Sequence, residues 1–176
     1  QINDIYQRHN GDASKFSKEE KEIVLNNQRE MISAKLELMK LSAKEQKAVL
    51  QALNGDIITL NETQLEHSRE SLEKAMKEEN SLYKKSKAEL KEALNLKLLT
   101  RQEYNARMKQ LESEHNQTME GLATKYLEVM KTLDDKVKLR TGQSWNYWEE
   151  AKKLLEDYGL SYEEIGEKAS KAAKEA

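Results

Sequence analysis

The sequence predicts an all-α protein organised around an elongated helical hairpin, with a bundled, coiled-coil-like helix packing and no sheet. Apolar residues recur at helical spacing over long stretches, and capping motifs mark several helix ends. The 176 residues include no proline and only six glycines. Charged residues make up 35% of the chain and aromatic residues 6%, which is typical of elongated helices or of disorder. The regular apolar spacing favours helices.

Residues 61–141 form the centre of this prediction, a long antiparallel helical hairpin. Thr100 and Glu103 have the spacing of a capping box, in which each side chain accepts a hydrogen bond from the other residue's backbone amide. A helix therefore ends near Lys97, and a second helix begins directly after Thr100. A link this short folds the second helix back on the first, which places the turn at residues 98–100.

The apolar stripes of the two long helices agree with a turn near residue 99. In this register Tyr83 faces His115, and three apolar positions of the second helix face charged residues of the first. Those charged residues are Arg69, Glu79 and Lys87. The stripe of the second helix has a mean spacing of about 3.67 residues, closer to a straight helix than to a left-handed supercoil. A further helix, from this chain or from a second copy, is expected to cover the stripe, and we favour this chain.

The N-terminal part is predicted to be a lead-in over residues 1–16, followed by helices over residues 17–60. A capping box at Ser17 opens a helix that runs from residue 18 to about 41. A second capping box at Ser42 either restarts the helix or lies silently inside a continuous one. The stripe of the first helix comprises Val24, Met31, Ala34, Leu38 and Leu41, with Ile32, Leu36 and Met39 beside it as a second, uncovered face.

Residues 142–176 are predicted to form short helices or a linker after the second long helix ends at Thr141 and Gly142. Trp145 and Trp148 are candidates for partner contact or for capping the open end of the hairpin. We favour capping, because the apolar residues of the second long helix near that end need cover.

Gly121 lies inside the second long helix, where glycine costs about 1 kcal/mol relative to alanine. The glycine marks either a hinge or close helix crossing, or a position where glycine is merely tolerated. We favour the tolerated glycine.

Catalytic and metal chemistry are not expected. Catalysis needs convergent titratable groups, whereas His9, His67 and His115 are far apart in the sequence and in the proposed hairpin. The chain has no cysteine and therefore no disulfide or thiolate metal site. We predict no enzyme activity, no cofactor and no metal.

Nucleic acid and membrane-spanning partners are not expected either. The net charge is -2 with the signs interleaved, so no broad basic face marks a nucleic acid partner. Residues 159–168 resemble the first half of a helix-turn-helix from a bacterial sigma-factor region, but no turn and basic recognition helix follow. No run of about 18 apolar residues is present, so no transmembrane segment is predicted.

Two stretches resemble tape measure proteins of long-tailed bacteriophages that infect Gram-positive hosts. Residues 98–105, Leu-Leu-Thr-Arg-Gln-Glu-Tyr-Asn, resemble the turn of helical hairpins that recur in that family, and residues 148–155 running into 159–164 resemble its helical linkers. The resemblance implies a structural segment of a longer protein that sets tail length. It also implies tail tube and tail assembly chaperone proteins as partners, and a location in the virion tail and, during assembly, the host cytoplasm. The start at Gln1 is consistent with an excised piece.

Two other classes of function stay open. One is a bacterial coiled-coil scaffold or adaptor that binds a protein partner through its helix faces, with or without self-association. The other is a membrane-surface protein that uses the segment around Trp145 and Trp148.

Overall fold

The computed structural model describes residues 17–55 and 57–175. These residues form six helices and no strand, which confirms the all-α prediction. The helices are α1 (Lys18–Leu36), α2 (Ala43–Leu53), α3 (Glu62–Asn95), α4 (Arg101–Thr141), α5 (Tyr147–Asp157) and α6 (Tyr162–Glu175). The predicted lead-in over residues 1–16, with His9, lies outside the described residues.

The predicted hairpin is present, and α3 and α4 are joined by the predicted turn. The Thr100 hydroxyl accepts from the Glu103 amide at 3.1 Å, and the Glu103 carboxylate accepts from the Thr100 amide at 3.3 Å. Tyr83 stacks on His115 with ring centroids 3.9 Å apart, as the predicted register requires. The helix α3 ends at Asn95, two residues earlier than expected, because Lys97 takes the left-handed conformation with φ at 60°.

The hairpin divides into two halves with different surroundings. Every buried residue of α3 and α4 lies within residues 62–79 or 118–141, and none lies between 80 and 117. We call residues 80–117 the arm, and the rest of the hairpin with the four other helices the base. At 1.5 Å per residue the arm projects about 30 Å from the base. The core is therefore confined to one end of an elongated molecule.

The first helix differs from the prediction in length and in its buried face. α1 ends at Leu36, and Ser42 starts a separate helix with a complete capping box. The buried residues of this segment are Ile32, Leu36 and Met39. Leu38, placed in the predicted stripe, is 70% exposed because it follows the end of the helix and is out of helical phase. The residues predicted to lie beside the stripe and to need cover are thus the ones that pack in the core.

Gly121 is the point where α1 crosses α4. A Cβ atom built on Gly121 would lie 2.7 Å from Ile32 Cδ1 and 3.1 Å from Gln28 Cδ. The Gln28 side-chain amide also donates to the Gln117 carbonyl at 2.8 Å. The interpretation of Gly121 as a merely tolerated glycine is therefore wrong, because the absent side chain is what lets the two helices approach.

Candidate functional site

A buried polar cluster joins α1, α3 and α4 where the base meets the arm. Glu79 is only 1% exposed. Its Oε1 accepts from Lys35 Nζ at 2.8 Å and lies 3.1 Å from His115 Nδ1. The His115 ring in turn stacks on Tyr83. The carboxylate thus ties the crossing helix to both helices of the hairpin.

The cluster explains one of the charged residues predicted to face the apolar stripe. Glu79 is covered by α1, and Lys35 supplies the opposite charge. The sequence offered a signal for this partner, because Lys35 lies three residues after Ile32 and one before Leu36, on the edge of the buried face of α1. A charged residue in an apolar stripe needs a partner of opposite sign. Lys35 meets this requirement on α1, although it was not among the predicted residues.

A second polar cluster closes the open end of the hairpin. Asp134, buried on α4, accepts from the Trp145 amide at 2.8 Å and from the Ser144 hydroxyl at 3.0 Å. The Trp145 ring packs against the core, and the Arg69 guanidinium lies 5.6 Å from the ring centroid. The loop from α4 to α5 is therefore fastened over the hairpin end. Asp134 was not among the predicted residues.

The two tryptophans have different roles. Trp145 is half-buried in the position expected of a cap, whereas Trp148 is 42% exposed in the first turn of α5. The two residues that follow Trp148 are Glu149 and Glu150, both exposed. Trp148 makes an edge contact with Tyr147, with ring centroids 6.0 Å apart, and the neighbouring side chains are acidic, whereas faces that bind anionic membranes are basic.

A further polar contact in the base joins α3 to α4. The Tyr126 hydroxyl donates to Glu73 Oε1 at 3.1 Å. Burial raises the pKa of the Glu73 carboxyl, although the nearby Arg69 charge opposes the shift. Burial also raises the pKa of Tyr126 far above its usual value, so this phenol donates at every physiological pH. Arg69, the second charged residue predicted to face the stripe, is covered by Glu150 of α5 at 3.3 Å.

Among the described helices no third one packs along the arm, and the arm has no buried residue. A groove of about 310 Å³ runs between its two helices, with Leu90 and Leu111 at the bottom and Arg107 and Glu114 at the rim. Leu96 and Leu98 are 62% and 73% exposed at the turn. Lys87, the third charged residue predicted to face the stripe, is exposed here. The grooves between α3 and α4 are filled by other helices in the base and are open in the arm.

Metal-binding groups are absent from residues 17–55 and 57–175. No group of three or more His, Asp or Glu side chains lies at metal-binding distance there. His67 lies 3.4 Å from the Lys44 carbonyl, far from the Glu79 cluster that contains His115. The described helices include none long and apolar enough to cross a membrane. What the arrangement provides is extended, charged helical surface.

Comparison with known proteins identified no relative. No family model, curated protein or solved structure matches this chain.

Proposed function

We propose that this chain is a structural, non-catalytic segment of a tape measure protein from a long-tailed bacteriophage. The observation that carries the proposal is the hairpin itself, in which α4 alone has 41 residues and a length of about 60 Å. The resemblance of residues 98–105 and 148–164 to that family points the same way. In this role the segment contributes helical length rather than a binding cleft.

The proposal assigns partners and a location. Tail tube and tail assembly chaperone proteins would assemble around the parent protein, in the host cytoplasm first and in the virion tail afterwards. The alternating charges of the exposed helix faces suit contact with such wet, polar surroundings.

The test is an in-frame deletion of residues 84–94 and 104–114 from the gene of the parent protein, followed by electron microscopy of the virions. The two deleted segments face each other in the hairpin, are each about three helical turns long and contain no buried residue, and the capped turn between them is kept, so the core of the base stays in place. We expect shorter tails with unchanged tail tube diameter. Tails of unaltered length would refute the tape measure proposal. A matched substitution, Thr100→Ser, keeps the cap and should leave tail length unchanged.

A coiled-coil scaffold or adaptor is the second candidate, and the open groove along the arm favours it. A partner helix laid between Leu90 and Leu111 would extend the bundle of the base into the arm. The genes beside this one would distinguish the two candidates, because tail tube genes accompany a tape measure protein. The membrane-surface candidate has weaker support, since α5 carries exposed carboxylates beside Trp148. Flotation with anionic liposomes tests it directly.

A further inference from the structure

Charge is distributed unevenly between the arm and the rest of the chain. Residues 80–117 contain eight Lys and Arg and five Asp and Glu, a net charge of +3, whereas the other residues contain 22 and 27, a net charge of -5. Most of this negative charge lies in α5 and α6, because residues 147–169 contain three basic and seven acidic side chains. The near-neutral total therefore conceals a basic end and an acidic end.

A straight row of lysines runs along α3 from the end of the base into the arm. Lys77, Lys84 and Lys91 recur every seven residues, which places them on one line of the helix within about 40°. All three side chains are exposed, and within the described part of the chain none of them takes part in an ion pair. These lysines are thus a free row of positive charge about 21 Å long.

The acidic helix α5 lies on the same side of α3 as the row of lysines, and α6 packs beside it on α4. Glu73 precedes Lys77 by four residues and continues the row toward the base. There α5 covers α3, with Arg69 paired to Glu150 at 3.3 Å and lying over Trp145. On this side the base is thicker than the arm by the width of α5, and we call this change in thickness the step. The surface of the base beside the step is acidic, and the lysines on the arm side are exposed.

We propose that two copies of this chain associate antiparallel across this stepped surface. The lysine row of each copy lies against the acidic α5–α6 unit of the other copy. The arm of one copy then occupies the space beside the base of the other. The two contacts are equivalent, as a two-fold interface requires. The α6 helix of 14 residues is about 21 Å long and matches the row of lysines.

A parallel pairing of two arms is excluded as the main contact by the same charges. It would place two surfaces of net charge +3 against each other, whereas the antiparallel arrangement pairs +3 with the acidic unit. Opposite charges give such an interface its orientation and its sensitivity to salt. The exposed Leu96 and Leu98 at the turn add apolar area at the outer edge of each contact.

Sedimentation equilibrium tests the proposal on the full chain. At about 50 mM NaCl and neutral pH we expect a reversible dimer, and at about 1 M NaCl, where the screening length is about 3 Å, at least tenfold weaker association. A chain that stays monomeric at low salt and about 0.2 mM, a concentration that would populate dimers of sub-millimolar Kd, overturns the proposal. Binding of poly-glutamate by that monomer would assign the lysine row to an acidic partner instead.

Reciprocal charge reversals make the test specific to these two surfaces. The arm variant is Lys77→Glu with Lys84→Glu and Lys91→Glu, and the acidic-unit variant is Glu156→Lys with Asp157→Lys and Glu167→Lys. Each variant alone should be monomeric, because both of its contacts pair like charges. Mixed at equal concentration they should form a heterodimer, since both contacts then pair opposite charges. A homodimer of either variant, or a mixture that stays monomeric, would contradict the arrangement.

A matched control has the same change in net charge at a different place. Lys40→Glu with Lys44→Glu and Lys47→Glu alters three exposed lysines, one before α2 and two within it, outside both surfaces. We expect this variant to dimerise within about twofold of the unaltered chain, and a tenfold loss would mean that net charge alone drives association. Circular dichroism of every variant verifies that the helices are intact.

Discussion

The Glu79 carboxylate is buried in the core. Its effect on the free energy of unfolding depends on whether its opposite charge, Lys35, is present. Lys35 Nζ lies 2.8 Å from one carboxylate oxygen, while the other oxygen, Oε2, has no hydrogen-bond partner among the described residues. Taking a charge out of water is costly, and an opposite charge repays part of that cost. The pair therefore specifies how α1 crosses the hairpin rather than adding much stability.

This view predicts that the second substitution of the pair offsets most of the stability lost by the first. Lys35→Met should lower the free energy of unfolding by about 2–4 kcal/mol, because it leaves the Glu79 carboxylate buried without its main partner. Adding Glu79→Met should recover most of the loss, since no buried charge remains. Urea denaturation of the two single variants and the double variant gives the coupling. Equal, additive losses would show that the pair is not coupled.

The burial of Glu73 predicts that stability changes with pH in the direction opposite to that expected for a salt-bridged carboxylate. Burial raises the pKa of Glu73 above its ordinary value of 4.5, so the folded chain keeps this proton to a higher pH than the unfolded chain. Stability contributed by this group is present below pH 4.5 and falls as pH rises through the folded pKa. Glu73→Gln cannot ionise, and its amide oxygen can still accept from Tyr126.

We therefore expect Glu73→Gln to be more stable than the unaltered chain at pH 7 and equal to it near pH 4, where Glu73 is largely protonated in both states. Urea denaturation at the two pH values measures the difference. Glu70→Gln, at an exposed position of the same helix, should change stability by less than about 0.5 kcal/mol at either pH. A Glu73→Gln variant that is weaker at pH 7 would contradict burial as the dominant cause.

At the scale of helices, local signals predicted most boundaries and tertiary contacts decided the rest. The capping boxes at Ser17, Ser42 and Thr100 are present as predicted, because a cap needs only residues three positions apart. Asn61 and Gln64 form another capping box that the same spacing rule would have found. The buried face of α1 was mispredicted, since two apolar stripes were available and only the crossing at Gly121 selects between them.

The arm is predicted to open more readily than the base. Its two helices contact each other without a third layer, so few buried contacts oppose local unfolding. Amide hydrogens of residues 80–117 should exchange with deuterium faster than those of residues 62–79 and 118–141. Thr100→Ala removes the cap at the turn, which costs about 1 kcal/mol and should speed exchange in the arm about fivefold. Uniform protection along α4 would show that the arm and the base unfold together.

For the molecule as a whole, the sequence predicted the hairpin and its register but not the arrangement of helices around it. Three charged residues of α3 face the apolar stripe of α4, which predicted that a further helix covers the stripe. Arg69 and Glu79 receive that cover from α5 and α1, and Lys87 does not. Trp145, singled out because the apolar residues of α4 near the hairpin end need cover, packs against the core there. The partner residues Asp134 and Lys35 were missed, because each lies on the edge of a buried helix face and its role depends on which other element packs against that edge.

The cover provided by α1 leads to a final prediction about association. Ile32→Glu with Leu36→Glu places two charges on the face of α1 that packs against Gly121, which the core cannot accommodate. We expect α1 to leave the base and expose an apolar strip of α4, and such strips drive self-association. Light scattering at about 1 M NaCl should then detect oligomers, since apolar contacts, unlike ion pairs, survive screening.

The matched control introduces the same two charges on the exposed side of the same segment. Leu25 and Leu38 are 48% and 70% exposed, so Leu25→Glu with Leu38→Glu should leave the chain in its unaltered state of association and with unchanged helix content. If the control variant oligomerises as well, added charge rather than loss of cover is responsible. If the Ile32 and Leu36 variant keeps both its helix content and the scattering mass of the unaltered chain, α1 is not what shields the hairpin. The salt condition separates this apolar association from the charge-dependent dimer, because the latter is weakest where the former is measured.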